Sequence, residues 1–339
     1  MTQRIVITDS TLRDGMHTVS HQFTPADIAE IATALDKSGV DLIEVGHGDG
    51  LAGSSYQYGF SAAKDAECLK AACGAVKNGK VTVLLLPGIG TKKDLEAAAD
   101  IGAKAVRVAT HVTEADISEQ HIKVAKDMGL FTVGFLMMAH MEEPERMVEQ
   151  AKKMESYGAD VVYVTDSAGA LLPDGVRTRV SALRQAVNIP VGFHAHNNLG
   201  VAVGNTLAAL QEGATFVDGS LRGMGAGAGN AQTEVMVAAL HKAGYQTGCH
   251  LRKLIEAAEQ NVAPKMLRPQ IIDSVALILG FAGVYSSFFL HAKRAAERFN
   301  VDPLEILEEL GRRRIVGGQE DQIIDVAYEL SQRQKTLVR

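Results

Sequence analysis

The first residues able to do chemistry stand together near the amino terminus. Arg13, Asp14 and His17 follow an apolar run at residues 5–7, which predicts a first β-strand. A guanidinium, a carboxylate and an imidazole at the end of one strand indicate either a functional site or a turn held by local hydrogen bonds. From this stretch alone the two interpretations are about equally favoured, so the decision depends on residues far along the chain.

The second group is the pair His194 and His196, in another strand-like run. Residues two apart in a strand face the same side, about 6.6 Å apart, so both imidazoles can reach one ion. Taken in isolation, a pair of hydrogen-bonded core histidines is slightly favoured. Together with Asp14, the pair predicts a metal site of two histidines and one carboxylate with coordination positions left open for Lewis-acid catalysis. The absence of a thiolate favours Mn²⁺, with Mg²⁺ or Co²⁺ as alternatives, over a structural Zn²⁺.

The elements that must position these residues repeat along the chain. A helical pattern, a glycine and a short β-branched strand recur between residues 5 and 245, and such a glycine is the usual end of a helix. Short strands that are apolar on both faces need cover on both faces, which indicates parallel strands with crossover helices. Eight such strands predict an α/β fold of the (β/α)8 TIM barrel type, because an open doubly wound sheet usually has fewer strands and a glycine fingerprint that the first unit lacks. The predicted strands cover residues 5–7, 42–45, 81–86, 105–108, 130–133, 161–164, 191–193 and 215–217.

A barrel of this kind brings the two groups of residues to one rim. Functional residues of TIM barrels lie at the carboxyl ends of the strands. Asp14 follows strand 1, His194 and His196 lie at the end of strand 7, and both strands flank strand 8 in a closed barrel. Asp14 is therefore expected to complete a three-ligand site.

Weaker signals surround this rim. The glycine-rich run at residues 223–229 predicts either an anion cradle or a loop kept small so that the metal site stays open. His47 and His111 are candidates for substrate ligands, although single histidines in loops more often have no such role. Tyr285 lies in an apolar helical pattern, which on its own is typical of core packing.

The pattern changes to helices without strands after residue 248. We therefore expect a catalytic barrel domain over residues 1–248 and a helical C-terminal domain over residues 249–339. Helices are predicted over residues 251–260, 271–281, 286–300, 303–313 and 321–333. The most apolar segment, residues 271–290, contains Asp273 and several Gly and Ser residues, so it predicts a buried helix pair rather than a membrane span.

Composition excludes several classes of function. The net charge of -6 gives no basic surface for nucleic acid. The three cysteines, Cys68, Cys73 and Cys249, show neither metal-site spacing nor the even number of a disulfide framework, and no signal-peptide pattern opens the chain. We therefore expect a cytoplasmic protein with no membrane partner.

Three motifs carry a resemblance to a known family. They are residues 9–15 with Asp-Ser-Thr-Leu-Arg-Asp-Gly, residues 194–198 with His-Ala-His-Asn-Asn, and the glycine-rich loop ending in Asn230. The set resembles the metal-dependent family of pyruvate aldolases, hydroxymethylglutaryl-CoA lyase and isopropylmalate synthase. The similarity is greatest to the subgroup that acts on 4-hydroxy-2-oxo acids, which has counterparts of His17, of Asp-Ser-Ala-Gly at residues 166–169, and of Tyr285. It covers nearly the whole chain.

The resemblance implies retro-aldol cleavage of 4-hydroxy-2-oxovalerate, or a slightly longer homologue, into pyruvate and a short aldehyde, in meta-cleavage catabolism. The 2-oxo acid would chelate the ion held by Asp14, His194 and His196 and so lie against these ligands. Arg13 would hold the enolate oxygen, and His17 would be the general base.

The resemblance also implies roles for residues at the edge of the site and for a partner. Ser167 would touch the substrate carboxylate, Tyr285 would line the pocket and help to set stereochemistry at C4, and Asn230 would lie beside the metal ligands. Members of the subgroup associate with an acylating acetaldehyde dehydrogenase. We expect a heterotetramer in which the C-terminal helices form the docking and channelling surface.

Three alternatives remain open at this point. An acyl-CoA-dependent lyase or condensing enzyme could use the same scaffold. A non-haem Fe(II) oxygenase also uses two histidines and one carboxylate. The alternative without catalysis is a metal-binding structural subunit of a dehydrogenase complex.

Overall fold

The barrel predicted from the strand pattern is present. The computed structural model describes residues 4–286 and 288–337, without the side chains of residues 336 and 337. Eight parallel strands pair in chain order, and β8 pairs with β1, so that the sheet closes. The prediction of a (β/α)8 TIM barrel followed by C-terminal helices is therefore confirmed.

The bounds of the elements follow the chain order. The strands are β1 Val6–Leu12, β2 Leu42–Val45, β3 Lys80–Leu85, β4 Ala105–His111, β5 Phe131–Met137, β6 Val161–Asp166, β7 Val191–Ala195 and β8 Phe216–Gly219. The barrel helices are α1 Pro25–Lys37, α2 Asp65–Ala75, α3 Lys92–Ile101, α4 Glu119–Asp127, α5 Pro144–Tyr157, α6 Pro173–Ala186, α7 Ala202–Gln211 and α8 Thr233–Lys242. The helices that follow are α9 Leu251–Glu256, α10 Ser274–Ala282, α11 Phe288–Phe299, α12 Pro303–Arg312 and α13 Asp321–Leu337.

Local sequence signals set the ends of the barrel helices. Thr24 and Asp27 form a reciprocal capping box at the start of α1, so two backbone N–H groups that the helix cannot satisfy have partners. Gly158 ends α5 with a φ of 107°, in the left-handed region that favours glycine. These signals place each helix end close to the start of the next strand.

Several strands extend further toward the carboxyl end than hydropathy predicts. β1 continues to Leu12, β6 to Asp166 and β7 to Ala195. The prediction stops at the first polar side chain, whereas strand pairing continues beyond it, as between Asp166 and Ala195. The added residues are the ones that carry polar groups to the mouth of the barrel.

The helices after the barrel belong to two cores. Leu254 of α9 and Val262 beyond it pack in the core of the barrel. The later helices α10–α13 share a core of their own, which includes Leu279, Phe288, Ile306, Leu310 and Val326. The domain boundary placed after residue 248 stays a prediction.

The expectation of a buried helix pair at residues 271–290 is wrong for one face of that segment. α10 and α11 bury Leu279 and Phe288, but Phe281 is 76% exposed and Leu290 is 60% exposed. Apolar composition does not reveal which face of a helix finds a partner within the chain. Within the residues described, none of the helices has the length and apolar character needed to cross a membrane.

Candidate active site

Seven of the predicted site residues line one cavity at the carboxyl ends of the strands. They are Arg13, Asp14, His17, Ser167, His194, His196 and Tyr285. The first six follow or end barrel strands, whereas the last comes from the connection between α10 and α11. The fold therefore brings together side chains from both ends of the sequence.

Asp14, His194 and His196 form a compact group that could hold a metal ion. The carboxylate oxygen Oδ2 of Asp14 lies 3.3 Å from Nε2 of His196 and 3.7 Å from Nε2 of His194. All three side chains are buried. One oxygen and two nitrogen donors that converge in this way match the donor set of a catalytic divalent metal.

The other ring nitrogen of each histidine has a partner that orients the ring. Nδ1 of His194 donates to the Asp218 carboxylate at 2.9 Å, and Nδ1 of His196 donates to the Ala226 carbonyl at 3.3 Å. Because both acceptors require a proton on Nδ1, a neutral ring directs the lone pair of Nε2 toward Asp14. Metal-binding histidines are usually held by partners of this kind.

The electrostatics of the group also fit a cation. Burial alone would raise the pKa of the Asp14 carboxyl, but Arg13 and His196 hold it well below its usual value. Burial lowers the pKa of His194, which therefore stays neutral. Burial also opposes charge on His196, yet Asp14 raises the pKa of that ring above its usual value. An ionised carboxylate between a neutral imidazole and one whose pKa it raises is a point that favours positive charge.

Arg13 is anchored beside this group by a buried carboxylate. Its Nε donates to Oε2 of Glu44 at 2.9 Å, and its Nη1 donates to the Gly48 carbonyl at 3.3 Å. The same Nη1 lies 3.5 Å from Oδ2 of Asp14. A guanidinium has five N–H donors, so this anchoring leaves donors for an anionic ligand in the cavity.

His17 lies in the six-residue 3₁₀ helix Asp14–Val19 that follows β1, against the loop that follows β2. An added Cβ on Gly48 would lie 2.3 Å from Nε2 of His17, so a larger residue there would displace the ring. The ring of His21 meets that of His17 edge-on, with 5.0 Å between the centroids. His17 is thus held by packing while it lines the cavity, as a general base must be.

Ser167 and Tyr285 lie at another part of the cavity wall. Oγ of Ser167 accepts a hydrogen bond from the backbone N–H of Met138 at 3.1 Å. The Tyr285 hydroxyl donates to the sulfur of Met137 at 3.7 Å, and burial raises the pKa of Tyr285, so the phenol stays neutral. The core packing that the apolar pattern indicates for Tyr285 is therefore only part of its environment, since the residue also lines the cavity.

The glycine-rich loop forms hydrogen bonds to Asp14, one of the three candidate metal ligands. Nδ2 of Asn230 donates to Oδ2 of Asp14 at 3.1 Å, and the backbone N–H of Ala226 donates to Oδ1 of Asp14 at 3.3 Å. The N–H of Ala228 donates to the side chain of Asn198. Since these N–H groups already have partners, the structure favours a small supporting loop over an anion cradle.

The two weaker histidine candidates lie outside the cavity lining. Nδ1 of His47 accepts from the backbone N–H of Asp49 at 3.0 Å, and its Nε2 lies 3.1 Å from the Gly59 carbonyl. Both nitrogens of His47 therefore hold the loop after β2. His111 pairs through Nδ1 with the Thr113 hydroxyl at 2.7 Å.

Three charged residues inside the barrel are not among the site residues predicted from the sequence. Glu44 on β2, Arg107 on β4 and Asp218 on β8 are buried, and their ion pairs join Arg13 to His194. The signal that could have found them is their position, because each is the only acidic or basic residue, histidine aside, in a short apolar strand. A single charge that faces a barrel interior needs a partner from another strand.

Two family models match the chain. The HMGL-like model matches residues 4–260, which contain the barrel. The model of the DmpG-like communication domain matches residues 270–332, which contain α10–α12. These matches confirm the resemblance that the motifs indicate, and they cover the barrel and the later helices separately.

Curated relatives match almost the whole chain. The 4-hydroxy-2-oxovalerate aldolase of Carboxydothermus hydrogenoformans is 66% identical over 335 residues, 99% of this chain and 100% of that protein. That of Moorella thermoacetica is 64% identical over 97% of each chain. A structure of the carboxyl transferase domain of Rhizobium etli pyruvate carboxylase with oxamate and biotin aligns with a TM-score of 0.82 and 17% identity over 98% of this chain and 61% of that one, which shows a shared fold. The chain belongs to the HMGL-like family and, within it, to the group of the 4-hydroxy-2-oxovalerate aldolases.

Proposed function

We propose that this chain cleaves 4-hydroxy-2-oxovalerate, or a slightly longer homologue, into pyruvate and a short aldehyde by a metal-dependent retro-aldol reaction. The observation that carries the proposal is that Arg13, His17 and the metal-binding group line one cavity. The aldolase name of relatives up to 66% identical supports the substrate class.

Asp14, His194 and His196 would hold the divalent ion. Two imidazoles and one carboxylate, with no thiolate among them, favour Mn²⁺, with Mg²⁺ or Co²⁺ as alternatives. When bound, the ion supplies Lewis acidity that withdraws charge from the keto oxygen of the 2-oxo acid. The chain contributes rigidity, because Asp218 and Ala226 fix the two rings before the substrate arrives.

Arg13 would stabilise the charge that develops on the pyruvyl half. When the bond between C3 and C4 breaks, its electron pair becomes part of an enolate. The guanidinium stays protonated and is held in place by Glu44, so its remaining N–H groups can face that oxygen without reorganisation. This is the role of an oxyanion hole filled by one side chain.

His17 would move the proton. Its imidazole takes the proton of the 4-hydroxyl as the C4 oxygen becomes the aldehyde carbonyl, and the same proton returns to C3 to give the methyl group of pyruvate. An imidazole can both accept and release a proton, which suits both transfers. The packing of His17 against Gly48 and His21 keeps the ring in the cavity wall.

The rest of the cavity would select a small 2-oxo acid. Ser167 offers a hydroxyl for the substrate carboxylate. Apolar side chains form part of the cavity wall, namely Leu84, Leu86, Phe135 and Met137. This wall suits a short alkyl tail beyond C4. The Tyr285 hydroxyl is a polar group that would interact differently with the two stereoisomers at C4.

An acylating acetaldehyde dehydrogenase is the proposed partner, in a heterotetramer, on the helices after the barrel. Support comes from the match to the DmpG-like communication domain and from the exposed apolar side chains Leu277, Phe281 and Leu290. Substituting Phe281→Asp should prevent co-purification of the two proteins, whereas Val235→Asp, at an exposed position on α8, should not. A complex that survives Phe281→Asp would remove this surface from the proposal.

The test of the proposed reaction is release of pyruvate from 4-hydroxy-2-oxo acids of increasing chain length with Mn²⁺ present. We expect equal amounts of pyruvate and aldehyde, with the fastest turnover on the shortest substrates. His17→Gln should lower kcat by about 100-fold or more, while His241→Gln, at an exposed histidine on α8, serves as the matched control.

The alternatives give different results in the same assays. An acyl-CoA-dependent enzyme would form product from pyruvate only when a thioester is added. An Fe(II) oxygenase would consume oxygen together with a 2-oxo acid. Either result, in a protein that releases no pyruvate from the hydroxy acids, would overturn the proposed function.

A further inference from the structure

Arg107 is a buried cation at the centre of the barrel. Only 1% of the residue is exposed, and its guanidinium carbon lies 4.0 Å from the ring centroid of Phe135 and 4.7 Å from that of Tyr163. A guanidinium in such surroundings needs anionic partners. Arg107 does not line the cavity, so it has no direct role with a ligand there.

Two carboxylates from other strands meet Arg107. Its Nη1 donates to Oε2 of Glu44 at 3.3 Å, and its Nη2 donates to Oδ2 of Asp218. Burial alone would lower the pKa of Arg107, but these carboxylates raise it, so the group stays charged. The planar guanidinium of Arg107, on β4, thus connects β2 with β8.

Each of these carboxylate oxygens has a second partner in the candidate site. Oε2 of Glu44 also accepts from Nε of Arg13 at 2.9 Å, and Oδ2 of Asp218 also accepts from Nδ1 of His194 at 2.9 Å. The remaining oxygens, Oε1 of Glu44 and Oδ1 of Asp218, have no hydrogen-bond partner within residues 4–286 and 288–337. The network therefore runs through one oxygen of each carboxylate.

The charges of this network leave room for a cation. With His194 and His196 neutral, as metal ligands must be, the two guanidinium groups and the three carboxylates of Glu44, Asp218 and Asp14 sum to one net negative charge. If Arg107 were neutral, the two inner carboxylates would face each other without the cation that separates them. Arg13 would then remain as a hydrogen-bond partner of Glu44, and His194 as a partner of Asp218.

We infer that Arg107 is a positioning residue that couples the two halves of the site, setting the guanidinium of Arg13 through Glu44 and the ring of His194 through Asp218. The inference rests on the proposed function for the meaning of those two halves. Lysine cannot replace Arg107, because one ammonium nitrogen cannot reproduce the planar two-pronged contact. Arg107 is thus expected to influence both metal affinity and turnover without touching metal or substrate.

The experiment compares Arg107→Lys, Glu44→Gln and Asp218→Asn in the full chain. Mn²⁺ affinity is measured by titration without substrate, and kcat and KM are measured with saturating Mn²⁺. The ring-nitrogen NMR shifts of His194 are recorded in the metal-free protein. Val108→Ala is the matched control, because it shortens a buried side chain on the same strand, next to Arg107, on the face toward the helices.

We expect the two carboxylate variants to separate the effects. Asp218→Asn should weaken Mn²⁺ binding by about 10- to 100-fold and disturb the His194 tautomer. Glu44→Gln should lower kcat while Mn²⁺ affinity stays nearly unchanged. Arg107→Lys should show both defects, whereas Val108→Ala should lower only the melting temperature.

An Arg107→Lys protein with the Mn²⁺ affinity, kcat and His194 shifts of the wild type would overturn the inference, as would a loss confined to the melting temperature. Should Arg107→Lys fail to fold, the double variant of Glu44→Gln with Asp218→Asn decides, because Arg107 pairs with both of those side chains. Effects on Mn²⁺ affinity that depart from the product of the single variants by more than about threefold support coupling, and multiplicative effects contradict it. Failure of pyruvate release by the wild type would instead reject the proposed function, since the metal and NMR readouts need no substrate.

Discussion

The interior of the barrel has two unlike sides. Strands β7, β8, β1 and β2, neighbours in the closed sheet, carry or lead into a charged side formed by His194, His196, Asp218, Arg13, Asp14 and Glu44. Strands β3 to β6 supply an apolar side formed by Leu84, Ala109, Val133, Phe135, Val161 and Tyr163. Arg107 starts on β4 but pairs with carboxylates of the charged side. Most of the residues with a proposed chemical role and much of the inner apolar packing therefore lie on different strands, with Ser167, which follows β6, as an exception.

The difference between the sides has a physical basis. Buried charges destabilise a core unless they are paired, so the charged side is a network in which each group depends on its neighbours. Buried methyl and ring groups stabilise the fold in proportion to the area they remove from water. Changes on the charged side should therefore alter turnover, whereas changes deep in the apolar side should alter the free energy of unfolding.

Removal of the metal should break the charged side most completely. Exhaustive chelation is expected to abolish pyruvate formation, because Asp14, His194 and His196 would lose the ion that we propose they hold. Addition of Mn²⁺ should restore it, and the melting temperature of the metal-free protein should show that the barrel remains folded. Turnover that persists after chelation would contradict a metal role for this group.

Arg13→Lys is the next largest change on the charged side. A lysine keeps the charge but cannot donate to Glu44 and Gly48 while also facing the cavity. We expect kcat to fall by about 100-fold or more, as on removal of an oxyanion donor. Arg184→Lys, at the opposite end of the barrel, makes the same chemical change as a control, and similar kcat values for the two variants would remove Arg13 from the mechanism.

Tyr285→Phe tests the point where the C-terminal helices meet the apolar side. The change removes a hydroxyl that donates a hydrogen bond to the sulfur of Met137. One lost hydrogen bond to substrate corresponds to a change of about fivefold in the preference between 4-hydroxy stereoisomers. Rates on the separated isomers measure it, with Mn²⁺ affinity as the control; an unchanged preference would make Tyr285 a packing residue only.

Val161→Ala should sharpen the comparison by leaving turnover alone. Val161 is buried in the apolar side and does not line the cavity. Loss of its methyl groups should lower the free energy of unfolding by about 2 kcal/mol, with kcat at saturating Mn²⁺ within about twofold of the wild type. A large loss of turnover in a stably folded Val161→Ala protein would show that the two sides are not separate.

The fold could be predicted because its signals are local. A helix that ends at a glycine such as Gly158, followed by a short apolar strand, identifies each βα unit without knowledge of its neighbours. Strand ends were less predictable, because polar residues such as Asp166 continue the strand pairing although their polarity is typical of loops. The exposed faces of α10 and α11 escaped prediction because their surroundings depend on how the helices assemble.

The same distinction separates the predicted from the missed parts of the site. Some site residues could be predicted because they are close together in the sequence. The spacing of His194 and His196 indicates a metal site, and the adjacent Arg13 and Asp14 indicate a functional site at the end of β1. The role of Glu44, Arg107 and Asp218 could not be predicted in this way. These residues lie far apart in the sequence, and their ion pairs form only across the barrel interior. Their sequence signal, a single acidic or basic residue in an apolar strand, predicts a buried pair but does not identify the partner.

The most direct measurement of the central claim is anomalous X-ray diffraction at the manganese edge from crystals of the protein soaked in Mn²⁺ and pyruvate. We expect one strong peak within bonding distance of the Asp14 carboxylate and of Nε2 of both His194 and His196, with pyruvate density beside Arg13. A peak bound by other residues, or none at this group under saturating Mn²⁺, would contradict it.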